Sequence, residues 1–415
     1  MSANRIYQRF VEQRLVEALS DTPVVLIHGP RQCGKTTLAR LVGDRRGYEY
    51  LSLDDDVLLD AAVTDPIGFV GGLPARAVID EVQRAPGIFR ALKAEVDRRR
   101  EPGRFIITGS ANMLLLPTLS DSLAGRMEIL RLHPLSSCEI AGSPSRFMDA
   151  LFSGNFGVGS RERLGTRLAE VVAAGGYPVA LTRSTPHRRM AWYRDYVEAI
   201  VQRDVRDFSR IGALEVLPRL LALAAGQSAR LVNISDIAAP FRLSRPTIRD
   251  YVTLLEHVFL LEQLPPWHSN RLSRLIKTPK LHMCDTGVAC ALLGLDAVAL
   301  TRDRASLGRM LETFVYQELR RQASWRDAAP AFHHFRDKDG AEVDVVLDHG
   351  ANGIAGVEIK ASATVTAADF RGLRKLQAAA GGRFAAGVVL YDGEACASFG
   401  EALFAVPLRA LWETS

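Results

Sequence analysis

A chain of 415 residues is too long for one hydrophobic core and implies roughly two to four domains. Its 47% hydrophobic and 24% charged residues, without any low-complexity tract, exclude a disordered or fibrous polypeptide. A net charge of +5 permits a polyanionic partner without demanding one, no apolar run approaches membrane-spanning length, and the five scattered cysteines lack metal-ligand spacing, so a reduced, cytoplasmic protein with no membrane partner is expected.

Residues Met1 to Asp21 carry charge throughout and read as an amphipathic helix with Ile6, Phe10 and Leu15 on one side, not as a signal peptide. Pro23 to His28 is a short apolar run of the kind that forms a parallel strand buried on both faces. It leads into Gly29-Pro30-Arg31-Gln32-Cys33-Gly34-Lys35-Thr36, a complete GxxxxGK[ST] phosphate-binding loop, with Thr37 continuing into a helix. Glycines let backbone N–H groups wrap phosphates, and the following helix N-terminus adds partial positive charge. Residues Gly29 to Thr37 are therefore the expected ATP-binding segment, with Lys35 on the β- and γ-phosphates and Thr36 as a Mg²⁺ ligand.

The partner motif is Ala77-Val-Ile-Asp80-Glu81, a strand ending in two carboxylates. Asp80 suits Mg²⁺ and Glu81 suits the attacking water, whereas a purely structural capping role would need one carboxylate, not a pair. A third strand, Arg104 to Thr108, runs into Gly109-Ser110-Ala-Asn112, so Ser110 or Thr108 could orient the lytic water, with Asn112 a competing choice and a simple polar turn the bland alternative. Arg126, between the next segment and the strand Met127 to Leu132, stands where a trans-acting arginine finger belongs, which would imply a homo-oligomer.

From His133 to Pro186 the pattern turns helical and closes on Gly175-Gly176-Tyr177-Pro178, read as a small lid over the adenine. Met190 to Phe208 reads as a long amphipathic helix with Trp192, Tyr196 and Ile200 on one stripe. Three short helices follow, Leu214–Ala225, Ser235–Ala239 and Ser244–Leu255, and then two wing strands, Val258 to Leu264 and Pro279 to Cys284. Ser244 caps the last helix, Ile248, Tyr251, Leu254 and Leu255 face inward, and Arg245, Thr247 and Arg249 are left outward where a recognition helix meets DNA. Arg271, Arg274, Lys277 and Lys280 add a basic wing loop. The same winged helix could instead serve subunit packing.

The last module reads αβββαβ: a helix Gly308–Leu319, strands 333–337, 342–347 and 353–360, a helix Ala367–Ala378 and a strand Ala385–Tyr391. Asp344 with Glu358-x-Lys360 resembles the core of PD-(D/E)xK nucleases, in which the carboxylates share a Mg²⁺ and the lysine positions water. Glu312 sits where archaeal Holliday-junction resolvases carry an accessory metal-binding glutamate, and Val343 replaces the proline that often precedes the first aspartate. Such a fold could cut DNA or be retained only for binding.

Taken together, His28-Gly-Pro-Arg-Gln-Cys-Gly-Lys-Thr-Thr, Ile79-Asp-Glu-Val-Gln, Thr108-Gly-Ser, Leu123-Ala-Gly-Arg126, Gly175-Gly-Tyr-Pro and Glu342-Val-Asp with Glu358-Ile-Lys resemble prokaryotic AAA+ ATPases whose C-terminal half is domain of unknown function 4143. The resemblance spans nearly the whole chain and implies ATP binding and a restriction-endonuclease-like C-terminal fold. The expected fold is α/β: an AAA+ parallel sheet over residues 1–133, a helical lid and linker helix over 134–210, a winged helix over 211–284 and a nuclease-like domain over 285–415. The leading functional expectation is an ATPase that binds and remodels, or moves along, duplex or branched DNA. Rivals are an ATP-gated Mg²⁺-dependent nuclease, of the kind that serves defence against foreign DNA, and a nucleotide-dependent switch binding protein partners.

Overall fold

Five short runs assemble into one parallel sheet in the computed structural model, which describes residues 6–110, 123, 125–208, 216–241, 243–268 and 278–413. They are β1 (Val24–His28), β2 (Glu49–Ser52), β3 (Ala77–Asp80), β4 (Phe105–Gly109) and β5 (Met127–Arg131), in the spatial order β2-β3-β4-β1-β5. Every residue of β1, β3 and β4 is buried. Their uninterrupted apolar sequences follow from cover on both faces, because no side of these strands meets water. Val25, Ile27, Val78 and Ile106 point to one face and pack with Leu15, Leu38 and Val42 of the helices Glu12–Asp21 and Lys35–Arg45. Leu26, Ile79 and Ile107 point to the other and meet Ile88, Leu92 and Val96 of the helix Ile88–Arg98. Each such side chain contributes on the order of 2 kcal/mol of burial. β4 lies between β1 and β3, so the C-terminal ends of the three strands converge on one edge, the usual place for a ligand in an open parallel sheet.

The N-terminal helix is shorter than expected. It begins at Glu12, and Ile6 lies ahead of it, exposed, while Phe10 packs edge-on against Trp325 with ring centroids 5.3 Å apart.

Beyond β5 come the helices Ser137–Ala141, Phe147–Ser153, Thr166–Ala174, Pro178–Leu181 and Pro186–Phe208, with the two-residue β6 (Gly159–Ser160) among them. The expected winged-helix order is present as helices Val216–Gly226, Ile234–Ala238 and Arg245–His257 with β7 (Arg230–Leu231), β8 (Leu261–Leu264) and β9 (Lys280–Met283) in an antiparallel sheet β7-β9-β8. The helix Arg304–Ser324 then leads to β10 (Ala331–Arg336), β11 (Glu342–Asp348), β12 (Ile354–Lys360), the helix Arg371–Ala380 and β13 (Phe384–Tyr391), which realise the expected αβββαβ order. Two strands not anticipated, β14 (Ala395–Gly400) and β15 (Leu403–Pro407), extend this sheet, and β6 closes its edge: β10-β11-β12-β13-β15-β14-β6.

That edge pairing ties the segment after β5 to the C-terminal sheet. A single apolar core runs from Cys138 through Leu168, Tyr193, Leu221, Leu255 and Phe314 to Trp412, so residues 134–210, the winged helix and the last sheet share one interior. No helix among the described residues is long and apolar enough to cross a membrane.

Candidate nucleotide site and C-terminal carboxylate cluster

The loop after β1 has the backbone its sequence anticipates. Gly29 (φ 156°) and Gly34 (φ 102°) adopt conformations hostile to a side chain, and a Cβ on Gly29 would stand 2.1 Å from the Leu132 carbonyl oxygen. Lys35, buried at the start of its helix, donates from Nζ to the Pro30 carbonyl at 2.9 Å, so its ammonium closes the loop from inside. Arg9 braces the same loop from the N-terminal segment: it donates to the Cys33 carbonyl at 2.7 Å, to the His133 carbonyl at 2.7 Å and to Glu139 Oε1 at 2.8 Å. Tyr196 reaches the loop from the long helix Pro186–Phe208, its hydroxyl 3.3 Å from the Arg31 carbonyl. Tyr196 also stacks on Trp192 (centroids 5.2 Å, 15° between planes) and bonds the Tyr177 hydroxyl at 3.0 Å, which brings the Gly-Gly-Tyr-Pro segment to the loop's outer side.

Asp80, at the end of β3, accepts from three hydroxyls: Thr36 at 2.9 Å, Tyr50 at 2.7 Å, and Thr108. Tyr50 was not foreseen; burial and then the Asp80 carboxylate push its phenol up to about 12, so it remains a donor at neutral pH. Thr36 and Asp80 are side by side, a hard-oxygen pair suited to Mg²⁺.

Glu81 follows in left-handed backbone (φ 59°), an uncommon conformation for a residue with a side chain. Its N–H donates to Thr108 Oγ1 at 3.3 Å, and its carboxylate accepts from the Gln83 side-chain amide. The same amide nitrogen donates to Ser110 Oγ at 2.9 Å. Gln83 thus joins Glu81 and Ser110, the two side chains the motifs nominate to handle water. Its presence two residues after Glu81 in Ile79-Asp-Glu-Val-Gln was the available signal, but side-chain direction after a left-handed residue is not readable from spacing. Gly29, Pro30, Arg31, Gln32, Cys33, Gly34, Lys35, Thr36 and Thr37 all lie in this loop and first helical turn, with Asp80, Glu81 and Ser110 facing them across the strand ends. Asn112 lies outside the described residues.

Arg126 is placed differently. It precedes β5 at the opposite edge of the sheet, its carbonyl accepts from Val24 N at the start of β1, and its guanidinium pairs with Asp97 at 2.6 Å. The length of β1 separates it from the loop of its own chain, which it does not reach.

On the helix Arg245–His257, Ser244 accepts from Thr247 N at 3.2 Å, closing the expected cap, and Ile248, Tyr251, Val252, Leu254 and Leu255 are buried. Arg245 and Arg249 stand exposed at its front end, whereas the Thr247 hydroxyl is engaged with Ser244 at 2.8 Å. Arg271, Arg274 and Lys277 lie outside the described residues. Lys280 departs from expectation: it is not a basic loop residue but the first residue of β9, 3% exposed and turned inward.

The C-terminal carboxylates do come together. Lys280 Nζ lies 2.7 Å from Glu312 Oε1 and 3.1 Å from Asp344 Oδ1, and Lys360 Nζ lies 2.9 Å from Glu358 Oε1. Burial, then the Asp344 charge, raises Glu358 to about 8 and lifts Glu312 well above the usual carboxylate range. Burial alone would lower Lys280, but Asp344, Glu312 and Glu342 outweigh it and hold the ammonium charged.

Comparison with known proteins divides the chain into three matches: "AAA domain" over residues 21–141, "Domain of unknown function (DUF8612)" over 165–299 and "Domain of unknown function (DUF4143)" over 307–411. The second match takes in the long helix, the winged helix and residues up to 299. An uncharacterized protein of Mycobacterium tuberculosis and another of Mycobacterium bovis are each 30% identical over 365 residues, covering 88% of this chain and 76% of theirs. Among solved structures, a Walker-type ATPase of Pyrococcus abyssi is similar over 69% of this chain and 96% of its own (13% identity, TM-score 0.43). The Holliday junction branch migration motor RuvB of Thermotoga maritima is similar over 61% of this chain and 89% of its own (19% identity, TM-score 0.29). At these scores neither superposition adds to what the strand order and motifs establish.

Proposed function

The chain belongs to the same family as these mycobacterial proteins and carries an AAA domain and a DUF4143 domain, and we propose that it uses ATP hydrolysis on DNA, binding duplex or branched molecules and remodelling or moving along them. In this reading Gly29 to Thr37 cradle the triphosphate, Lys35 leaves the Pro30 carbonyl for the β- and γ-phosphates, and Thr36 and Asp80 hold Mg²⁺. The metal supplies charge neutralisation on the phosphates. Glu81 orients and polarises the attacking water, with Gln83 and Ser110 fixing the carboxylate's direction. Arg126 completes the site of the adjoining subunit in a homo-oligomer.

The observation that carries the DNA assignment is the exposed front end of the helix Arg245–His257, where Arg245 and Arg249 stand free of the buried face on a winged-helix scaffold. Phosphate contacts of this kind release counterions, so binding must weaken steeply with salt. Fluorescence anisotropy with labelled duplex and four-way junction at 50 and 200 mM salt tests it. Binding that falls at least tenfold with salt and collapses in Arg245→Glu/Arg249→Glu supports the assignment; no binding at the lower salt removes it.

A further inference from the structure

The layout that β11, β12 and the helix Arg304–Ser324 resemble implies a divalent cation shared by Glu312, Asp344 and Glu358, and donor chemistry tests whether these residues fit one. Lys280 enters the cluster from β9, a strand of the winged-helix sheet. Its ammonium is 2.7 Å from Glu312 Oε1, 3.1 Å from Asp344 Oδ1 and 3.9 Å from Glu342 Oε1. The other Asp344 oxygen accepts from Ile359 N at 3.0 Å, and Glu358 Oε1 is taken by Lys360, leaving Glu358 Oε2 as the buried oxygen without a partner. Among the described residues no three His, Cys, Asp or Glu side chains are arranged to hold a metal ion. Mg²⁺ would need about six oxygens in near-octahedral array, and a fixed positive charge between two of its carboxylates opposes it.

We infer that Lys280 is the resident cation of this cluster, so that the C-terminal domain carries a metal-free ion-pair joint to the winged helix in place of a cutting centre. The contacts support this: Glu312 and Asp344 both meet the internal ammonium of Lys280, and Glu358 Oε1 meets Lys360. The strand geometry supports it as well. Lys280 and His282 alternate to the same side of β9, and while Lys280 meets Glu312, the His282 ring meets the next residue of that helix, Thr313, at 3.2 Å. One strand face of the wing is therefore docked on the helix that supplies Glu312. Removing the lysine leaves two carboxylates with no counter-charge, which is the chemistry of a divalent-cation site.

This inference stands apart from the DNA assignment and is tested without DNA binding. Mn²⁺ uptake by the full-length, nucleotide-free protein is measured by electron paramagnetic resonance for wild type, Asp344→Asn, Glu312→Gln, Lys280→Met and Lys280→Met/Asp344→Asn, each checked for folding by thermal melting. The expected result is equal uptake by wild type, Asp344→Asn and Glu312→Gln, one additional Mn²⁺ per chain in Lys280→Met, and loss of that ion in the double variant. Wild type binding one more Mn²⁺ than either carboxylate variant overturns the inference, as does a folded Lys280→Met that gains none. If Lys280→Met does not fold, the wild-type comparison with Asp344→Asn and Glu312→Gln decides alone. Asp344-dependent nicking of plasmid by wild type with Mn²⁺ would also overturn it.

Discussion

Asp80 accepts hydroxyl bonds from Thr36, Tyr50 and Thr108, and its neighbour Glu81 is held by Gln83. The two adjacent carboxylates therefore have different partners, as the different tasks proposed for them require: Asp80 is embedded among hydroxyl donors, while Glu81 is steered by one amide. Glu81→Gln is expected to lower kcat by about 10²-fold or more while leaving ATP binding intact. Gln83→Ala, which frees both Glu81 and Ser110, is expected to lower kcat roughly tenfold at nearly constant KM, because misdirecting a general base affects the transition state more than the ground state. Steady-state phosphate release separates these outcomes, and a Gln83→Ala rate equal to wild type would remove Gln83 from the site. Histidines set a different residue-scale limit. Burial, reinforced by Arg131 and Lys35, holds His28 down to about 3; burial and Lys280 do the same for His282 to about 3 and for His334 to about 4. An unfolded histidine takes a proton near 6.5, so the folded state's advantage is full above that pH and is lost as pH falls toward the folded values. The three together contribute a loss of about 4 kcal/mol between pH 7.5 and 5.5, opposed by carboxyls such as Glu358 that take up a proton in the folded state over the same range. NMR titration of the imidazole resonances isolates the histidine part, and rings that protonate near 6.5 in the folded protein would contradict their burial.

At the scale of elements, the helix Arg245–His257 is the contact on which the DNA assignment turns. If Arg245 and Arg249 each neutralise a phosphate, replacing both by alanine should reduce the slope of log K against log salt by about 2 and weaken binding to all sequences alike. A selective loss on one sequence would instead point to base reading. Elements of this kind were legible in the sequence because periodicity and caps are local. Ser244, the buried Ile248 and Tyr251, and the apolar runs of β1, β3 and β4 all appear where their spacing places them. What could not be read depends on contacts distant in sequence. Lys280 looks like one more basic residue of a wing loop until the helix carrying Glu312 is folded against it. β14 and β15 are short and separated by Glu401 and Ala402, and β6 is two residues long, so no periodic signal marks them. Tyr50 and Arg9 lie in unremarkable local sequence, and their approach to Asp80 and the phosphate loop comes from sheet order and the path of the N-terminal segment.

Across the whole molecule, one apolar core joins the lid segment, the winged helix and the C-terminal sheet, and Tyr196 carries that body to the phosphate loop through the Arg31 carbonyl. A change in loop shape on nucleotide binding would thereby reach the element proposed to hold DNA. Tyr196→Phe is expected to retain basal ATP hydrolysis within about threefold while reducing its response to DNA, since one hydrogen bond is worth about 1 kcal/mol. Unchanged stimulation would place the coupling elsewhere. Arg126, remote from its own loop and paired with Asp97, makes a further demand on the assembly under its proposed role in a neighbouring site. Mixing Arg126→Ala with Lys35→Ala chains should restore activity, because a subunit with an intact loop would meet an intact arginine next door; mixtures as inactive as either variant would exclude the trans role. The most direct measurement is the ATP hydrolysis rate of the pure protein without DNA, with linear duplex and with a four-way junction, using Lys35→Ala and Glu81→Gln as controls. The account predicts a rate that rises with DNA, most with the junction, and vanishes in both controls; a rate indifferent to every nucleic acid would contradict it.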